Sequence, residues 1–281
     1  MERVVHPPIS IVPTSLEQLT MMDADPAPAA SFHLSGASDK RFRKGRQPPL
    51  AKGRNVWMDP VRAFDQLQAD YWTTRTNLRS HDHPVVRSFA NQRVEFIKGK
   101  FGDWRPSTAL EVGCGDGFGM QHMNTLVDDI HGCDLSPAML EANPAPADRL
   151  TLAEAYDLPF ESDQFELVYC WELLHHVGDP SRAVSEMKRV GRRAVMLCEP
   201  NSLNVAMAAF GLLEPAERGL LRFTPGYTKR LLVEAGLSRV TVYSVACFTP
   251  NQTPPWLARV LSLLPYRWPY VGLYNIAIGY L

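Results

Sequence analysis

Apolar residues follow two rhythms along the chain, and the change falls near Thr108. Upstream, Val61, Phe64, Leu67 and Tyr71 recur at helical spacing behind Asp59-Pro60, a cap residue with proline at the first helical position. A second helix is predicted from Pro84, with Val86, Ala90, Val94, Ile97 and Phe101 on one face. Two amphipathic helices cannot bury their stripes alone, so residues 55–105 read as a helical cap on the region downstream. There, short apolar runs alternate with helical patterns. Strands are predicted at 109–112, 129–133, 150–153, 165–170, 194–198, 240–245 and 274–280. Helices open at Ser136-Pro137, at Asp179-Pro180 (with Ala183, Val184, Met187 and Val190 in period) and at Thr224-Pro225, the last ended by Gly236. Residues 106–281 are therefore expected to form an α/β domain: a doubly wound, mostly parallel seven-stranded sheet covered on both faces, with an N-terminal helical cap.

The first 54 residues keep no such period. Prolines at 7, 8, 13, 26, 28, 48 and 49 interrupt them, and too little apolar surface remains to offset ordering entropy. Residues 1–54 are expected to be a mobile extension. Its basic run Lys40, Arg41, Arg43, Lys44 and Arg46 reads as a solvated tail, with contact to an anionic surface as the other use. Across all 281 residues, 29 Lys plus Arg face 30 Asp plus Glu, a formal charge of −1. A net basic field is absent, and nucleic acid is not an expected partner. The hydrophobic fraction of 45% and charged fraction of 21% are those of a globular chain and exclude a fibrous or mostly disordered one. Cys114, Cys133, Cys170, Cys198 and Cys247 include no C-x-x-C pair and fit neither a zinc motif nor a disulfide framework, so they read as reduced thiols of a cytoplasmic protein. The uncharged apolar stretches 201–213 and 268–281 fall short of the roughly 20 residues of a spanning helix, and no secretory signal core is visible. A soluble protein is expected, at most resting on a membrane surface.

The first strand of the alternating region runs straight into Glu111-Val112-Gly113-Cys114-Gly115-Asp116-Gly117-Phe118-Gly119. A glycine-rich turn at that place lets a ligand lie against backbone, and the helix behind it offers free N–H groups. Asp134, twenty-one positions after Gly113, ends the second strand, where an acid suits the two hydroxyls of an adenosine ribose. Glycines and an acid alone do not separate a nicotinamide site from an S-adenosylmethionine site. The G-x-G-x-G spacing, Glu111 two residues before the first glycine, and the run Ala153-Glu154-Ala155-Tyr156-Asp157-Leu158-Pro159-Phe160 favour the second.

Together with Gly132-Cys133-Asp134-Leu135-Ser136, Leu174-His175-His176-Val177, Asp179-Pro180 and Glu186-Met187-Lys188-Arg189-Val190, these segments resemble the class I S-adenosylmethionine-dependent methyltransferases, in particular the small-molecule and quinone-precursor branch. The resemblance runs from about Thr108 to Val245. It implies the Rossmann-like methyltransferase fold with an antiparallel last strand, and S-adenosyl-L-methionine as cofactor with S-adenosyl-L-homocysteine as product. By the same resemblance Glu111, Gly113, Cys114 and Gly115 line the methionine end of the cofactor, and Asp134 takes the ribose. Leu135 packs on adenine, while Glu154 (usually Asp in the family) and the backbone of Ala155 meet the adenine edge. Cys170 and Trp171 stand beside the methionine and the transferring methyl.

In the cap, Tyr71 and Arg75 share a helix face, and Arg75 can reach the cofactor carboxylate; a buried aromatic edge with a solvated arginine is the other reading. The methyl of a sulfonium is already activated, so transfer is an in-line displacement that needs a base only if the acceptor keeps its proton until attack. His175 and His176 are the candidates for that base, with capping or packing of the next helix as the alternative. No metal site is expected from them, because adjacent residues on a helix point apart and no third ligand is near in sequence. Acceptor choice is expected in the cap and in two inserts, 201–222 and 247–268. Their apolar faces (Leu203, Val205, Met207, Phe210, Leu212, Leu213; Trp256, Leu257, Val260, Leu261) suit core, a homo-oligomer interface or a hydrophobic, lipid-linked small-molecule acceptor. Three rivals remain. A nucleic-acid methyltransferase lacks a basic groove here, a nicotinamide oxidoreductase is disfavoured by the glycine spacing, and a non-catalytic S-adenosylmethionine-binding scaffold keeps the fold without turnover.

Overall fold

The computed structural model describes residues 43–44, 60–74 and 79–281. Arg75 and the remainder of the expected extension 1–54 lie outside the described residues. The strands are β1 (Arg43–Lys44), β2 (Thr108–Val112), β3 (Asp129–Asp134), β4 (Leu150–Leu152), β5 (Phe165–Trp171), β6 (Gly191–Pro200), β7 (Ser238–Val245) and β8 (Tyr274–Tyr280). The helices are α1 (Pro60–Thr74), α2 (Pro84–Phe101), α3 (Phe118–Met123), α4 (Pro137–Ala142), α5 (Pro180–Val190), α6 (Val205–Leu213), α7 (Pro225–Glu234) and α8 (Pro255–Leu261). All strands join one sheet in the order β1-β4-β3-β2-β5-β6-β8-β7. β8 runs antiparallel to β6 and β7, and the other pairings are parallel. The seven expected strands are present. The two-residue β1 adds an eighth, with Arg43 opposite Thr151 and Lys44 opposite Leu152. This short piece of the basic run pairs through its backbone with the outer edge of β4.

Strand order reverses between β2 and β5. The chain steps outward from β2 through β3 to β4 on one side and from β5 to β6 on the other, and such a reversal opens a crevice at the carboxyl ends of the strands. Period-two alternation builds the two faces. Ala194, Met196 and Cys198 of β6 join one apolar cluster, and Val195 and Leu197 join the other. The helix starts obey local chemistry: Ser136, Asp179 and Thr224 accept from the backbone N–H of Met139, Arg182 and Tyr227.

The two N-terminal helices differ in kind. α2 places Val85, Phe89, Val94, Ile97 and Phe101 in one continuous cluster with β2, β5, β6 and β8, so it is a layer of the sheet's own core. α1 instead approaches the carboxyl edge, where Asp65 accepts from Gly178 N at 2.8 Å and from the Tyr156 hydroxyl at 3.1 Å. The insert 201–222 folds as α6, capped by Asn204, and then a 3-10 segment, Pro215–Arg222. α8 lies in the insert 247–268.

Candidate active site

At the end of β2 the backbone passes through Gly113, Gly115 and Gly117 with φ of +72°, +49° and +90°. L side chains rarely adopt that conformation, which accounts for glycine at alternate positions. Gly113 N and Cys114 N both donate to Cys133 O, tying the turn to the end of β3. There the Asp134 carboxylate accepts from Gly115 N at 2.9 Å and from Ser136 N at 2.8 Å. Burial raises this carboxyl, and the backbone N–H bonds oppose the rise. Each oxygen retains a further acceptor position, and the side chain is only partly buried. Leu135 beside it is 45% exposed, a flat apolar surface next to a hydroxyl acceptor. Ala153 N donates to Asp134 O, and after it Glu154 is exposed and Ala155 half-buried. Leu173 packs over Gly113, where a Cβ would stand 2.6 Å from the leucine Cδ1.

Glu111 supports this turn from beneath. It is 2% exposed and accepts from the Tyr169 hydroxyl at 2.9 Å. Desolvation lifts its carboxyl well above the usual range, opposed by that hydrogen bond. Gly119 is the second glycine demanded by packing, because a Cβ there would overlap Glu111 Oε1. Cys114 is buried, with Asn143 Nδ2 3.7 Å from its Sγ. Asn143 also donates to Gly115 O at 3.1 Å, a brace that no sequence pattern announces.

At the end of β5 the side chains part. The Trp171 ring lies 5.4 Å from Phe118 and under the guanidinium of Arg93, which also stacks on Phe89 and Tyr274. Cys170 points to the opposite face, its thiol 3.7 Å from Glu199 Oε1, so its side chain does not stand beside Trp171. Glu172 comes next with φ of +61°, a strained conformation for a residue other than glycine, and Arg93 Nη1 donates to it at 3.0 Å. Desolvation raises the Glu172 carboxyl and the Arg93 charge opposes it.

His175 and His176 are buried, at 2% and 7% exposure. His175 Nδ1 meets Glu199 Oε2 at 2.7 Å, and its Nε2 lies 3.3 Å from Glu217 Oε2. Burial pulls the His175 imidazole down, but its hydrogen bonds to Glu199 and Glu217 outweigh that and lift it to about 9. Both nitrogens of this enclosed ring are thus engaged by carboxylates. His176 Nδ1 lies 2.8 Å from Gln68 Oε1, and its ring stands edge-on to Trp72 at 5.1 Å, with Tyr71 edge-on to Trp72 in turn. The histidines were expected to diverge with no third ligand at hand. Adjacent on a 3-10 turn instead, both imidazoles face Glu217. Another contact unforeseen from sequence joins His81 to the glycine loop, with Nε2 3.0 Å from Asp116 Oδ2 and Nδ1 3.0 Å from Gln121 Oε1. Its side-chain bond to Asp116 raises the imidazole against the opposing effect of burial.

Residues 110–198 match the family described as "Methyltransferase domain". Among curated proteins the chain is similar to the ubiquinone biosynthesis O-methyltransferases of Coxiella burnetii (24% identical over 139 residues, 47% of this chain and 56% of that protein) and Acinetobacter baumannii (26% over 140 residues, 46% and 56%). It thus spans about half the length of the curated relatives it matches. Among solved structures it is similar to a SAM-dependent methyltransferase of Thermotoga maritima (TM-score 0.57, 15% identity, 78% of this chain and 98% of that one) and one of Archaeoglobus fulgidus (0.51, 15%, 69% and 94%). At that identity the structural likeness carries the fold, which is the Rossmann-like methyltransferase fold. Sheet order, glycine turn and matched segment agree: residues 110–198 carry a methyltransferase domain, set in the Rossmann-like methyltransferase fold.

The cofactor of that family fits the residues present. The outward acceptor positions of Asp134 suit a vicinal diol, and exposed Leu135 suits an apolar ring.

Proposed function

We propose that this protein transfers a methyl group from S-adenosyl-L-methionine to O, N or C of a small acceptor and releases S-adenosyl-L-homocysteine. The observation that carries this reading is the Asp134 carboxylate, fixed by two backbone N–H groups beside the glycine turn at the switch point of the sheet. Asp134 would hold the ribose, Leu135 the adenine face, and Glu154 with Ala155 the adenine edge. Gly113, Cys114 and Gly115 would offer backbone to the methionine end, with Glu111 holding the turn and the Trp171 ring walling the crevice. Cys170 would contribute through its backbone, and Tyr71 from the cap.

The bound cofactor supplies an activated methyl on sulfur. The chain's task is to align an acceptor opposite that bond and to keep water out, and good attack geometry can supply roughly 7–11 kcal/mol of the barrier. Glu172, held by Arg93 at the end of β5, is better exposed for an acceptor than the enclosed His175, with 31% of its side chain accessible. The acceptor is read as small and hydrophobic, in keeping with the names of the curated relatives. Val205, Leu212, Leu213, Trp256, Val260 and Leu263 are exposed on and after α6 and α8, which supports contact with a lipid-linked acceptor at a membrane surface, here read as the cytoplasmic one. No helix among the described residues is long and apolar enough to cross a membrane.

Calorimetric titration with S-adenosylmethionine and with NADH tests the cofactor. Saturable binding of the first and none of the second is expected, and the reverse would overturn the reading. Transfer of labelled methyl into a cell extract, with the product identified by mass, then tests turnover and names the acceptor. Vesicle co-sedimentation tests the membrane contact, and a protein that stays in the supernatant while methylating a water-soluble acceptor would refute it.

A further inference from the structure

We infer that His175, His176 and Glu217 form a binding site for a divalent transition-metal ion, zinc foremost. The site is distinct from the cofactor site, since none of the three is among the groups assigned to the cofactor.

The tautomers set the site. Gln68 Nε2 donates to Ala216 O at 2.8 Å, so its Oε1 is the atom turned to His176 Nδ1, and that nitrogen must carry the proton. His175 Nδ1 likewise faces Glu199 Oε2, an acceptor that also takes the backbone N–H of His175, while Glu199 Oε1 accepts those of Leu173 and Leu174. With both Nδ1 atoms acting as donors, each ring turns its Nε2 inward, and loss of the proton there leaves a lone pair able to ligate an ion. Both Nε2 atoms point at one oxygen, Glu217 Oε2, at 3.3 Å from His175 and 3.8 Å from His176.

The spacing suits a metal. Zinc–nitrogen and zinc–oxygen bonds of about 2.0–2.1 Å in a tetrahedron put neighbouring donor atoms about 3.3–3.4 Å apart. The His175–Glu217 separation already has that value, and the three ligand atoms lie within 4.8 Å of one another. The surroundings suit it as well. A ligating histidine usually donates its other N–H to a carboxylate or carbonyl, the roles filled here by Glu199 and Gln68. All three ligands are buried, at 2%, 7% and 5% exposure. The 3-10 segment bearing Glu217 comes close because Gly219 has no Cβ to meet His175 O. Three protein ligands leave a fourth position for an oxygen donor.

The full chain, purified without chelator, should bind about one equivalent of zinc by elemental analysis. Titration with cobalt(II) should give the intense visible bands of a tetrahedral ion. His176→Ala and Glu217→Gln should abolish both signals. Gln68→Ala, which spares the ligands, should weaken zinc affinity by about 10–100-fold. Wild-type protein of intact thermal transition that takes up neither ion would overturn the inference, as would zinc uptake unaffected by these substitutions. Because the wild-type titrations need no variant, misfolding of a mutant leaves the test intact, and S-adenosylmethionine binding measured on the same samples reports the cofactor site separately.

Discussion

Gly119 occupies the second position of α3, where alanine would ordinarily stabilise a helix by about 0.4–1 kcal/mol. The opposite sign is expected here. A Cβ at 119 would overlap Glu111 Oε1 and stand 2.6 Å from its Cδ. The Glu111 side chain has nowhere to retreat, being 2% exposed and clasped by Tyr169, itself fully buried. Forcing it aside is an overpacking of about 1–3 kcal/mol. Depriving the Tyr169 hydroxyl of its acceptor adds about 1–3 kcal/mol. Less the helical gain, Gly119→Ala should destabilise by about 1–5 kcal/mol, which at about 2–4 °C per kcal/mol lowers Tm by roughly 2–20 °C.

A double-mutant cycle isolates the cause. Glu111→Ala alone should destabilise, because it strands the tyrosine hydroxyl and opens a cavity. In that background Gly119→Ala should cost nothing or add its helical gain, so the two changes couple strongly. Urea unfolding of the four proteins measures this. A coupling energy below about 0.5 kcal/mol, the scatter expected of independent sites, would refute the view that the buried acid is what requires glycine.

Three further substitutions have readouts of their own. Asp134→Asn turns an amide NH₂ toward the N–H of Gly115 or Ser136, donor against donor. S-adenosylmethionine affinity should fall at least about tenfold, or about 1.4 kcal/mol, by calorimetry, and an unchanged Kd in a folded protein would count against the ribose role. Arg93→Met leaves Glu172 without its buried cation and should cost about 1.5–3 kcal/mol in denaturant unfolding, part of which Glu172→Gln restores. His81 has its imidazole raised by Asp116, so its contribution to stability is complete below its unfolded value near about pH 6.5 and is lost as pH rises through the higher folded one. The stability gap between wild type and His81→Asn should therefore narrow on going from mildly acid to alkaline pH. A gap that widens would reverse the assignment.

What could be read in the sequence was mostly local. Ser136, Asp179 and Thr224 announce their helices because a cap and its N–H lie three residues apart, and the glycine turn is legible because positive φ leaves few other residues eligible. The pair Arg43–Lys44 hid its strand, since two basic residues carry neither alternation nor apolar content. The histidines were visible as a polar pair, but their environment was not. Glu199 comes from β6, Glu217 from the insert 201–222 and Gln68 from α1, 108 positions from His176. Adjacent residues were expected to diverge on an α-helix, yet they occupy a 3-10 turn whose rings, 3.9 Å apart, face one carboxylate. Asn143 likewise braces Gly115 from 28 positions away, a pairing that no period encodes.

These long-range contacts share a geometry that bears on how the site works. The chain before β2 touches two loops at the carboxyl edge by polar bonds: the segment after β5, through Asp65 to Gly178, Gln68 to His176 and Arg93 to Glu172, and the glycine turn, through His81 to Asp116. Arg93 is anchored in the core layer by α2, whereas Asp65 and Gln68 belong to α1, whose Leu67 is 54% exposed and which makes few apolar contacts with the sheet. A helix held mainly by polar bonds to loops gains stability only when those loops are in place. Ligand binding that fixes the glycine turn and the 174–178 segment should therefore order α1, and α1 in turn should slow ligand release. Hydrogen exchange of 60–74 with and without S-adenosylmethionine measures this coupling: protection that rises on binding supports it, and unchanged exchange in the saturated protein would place α1 outside the cofactor's reach.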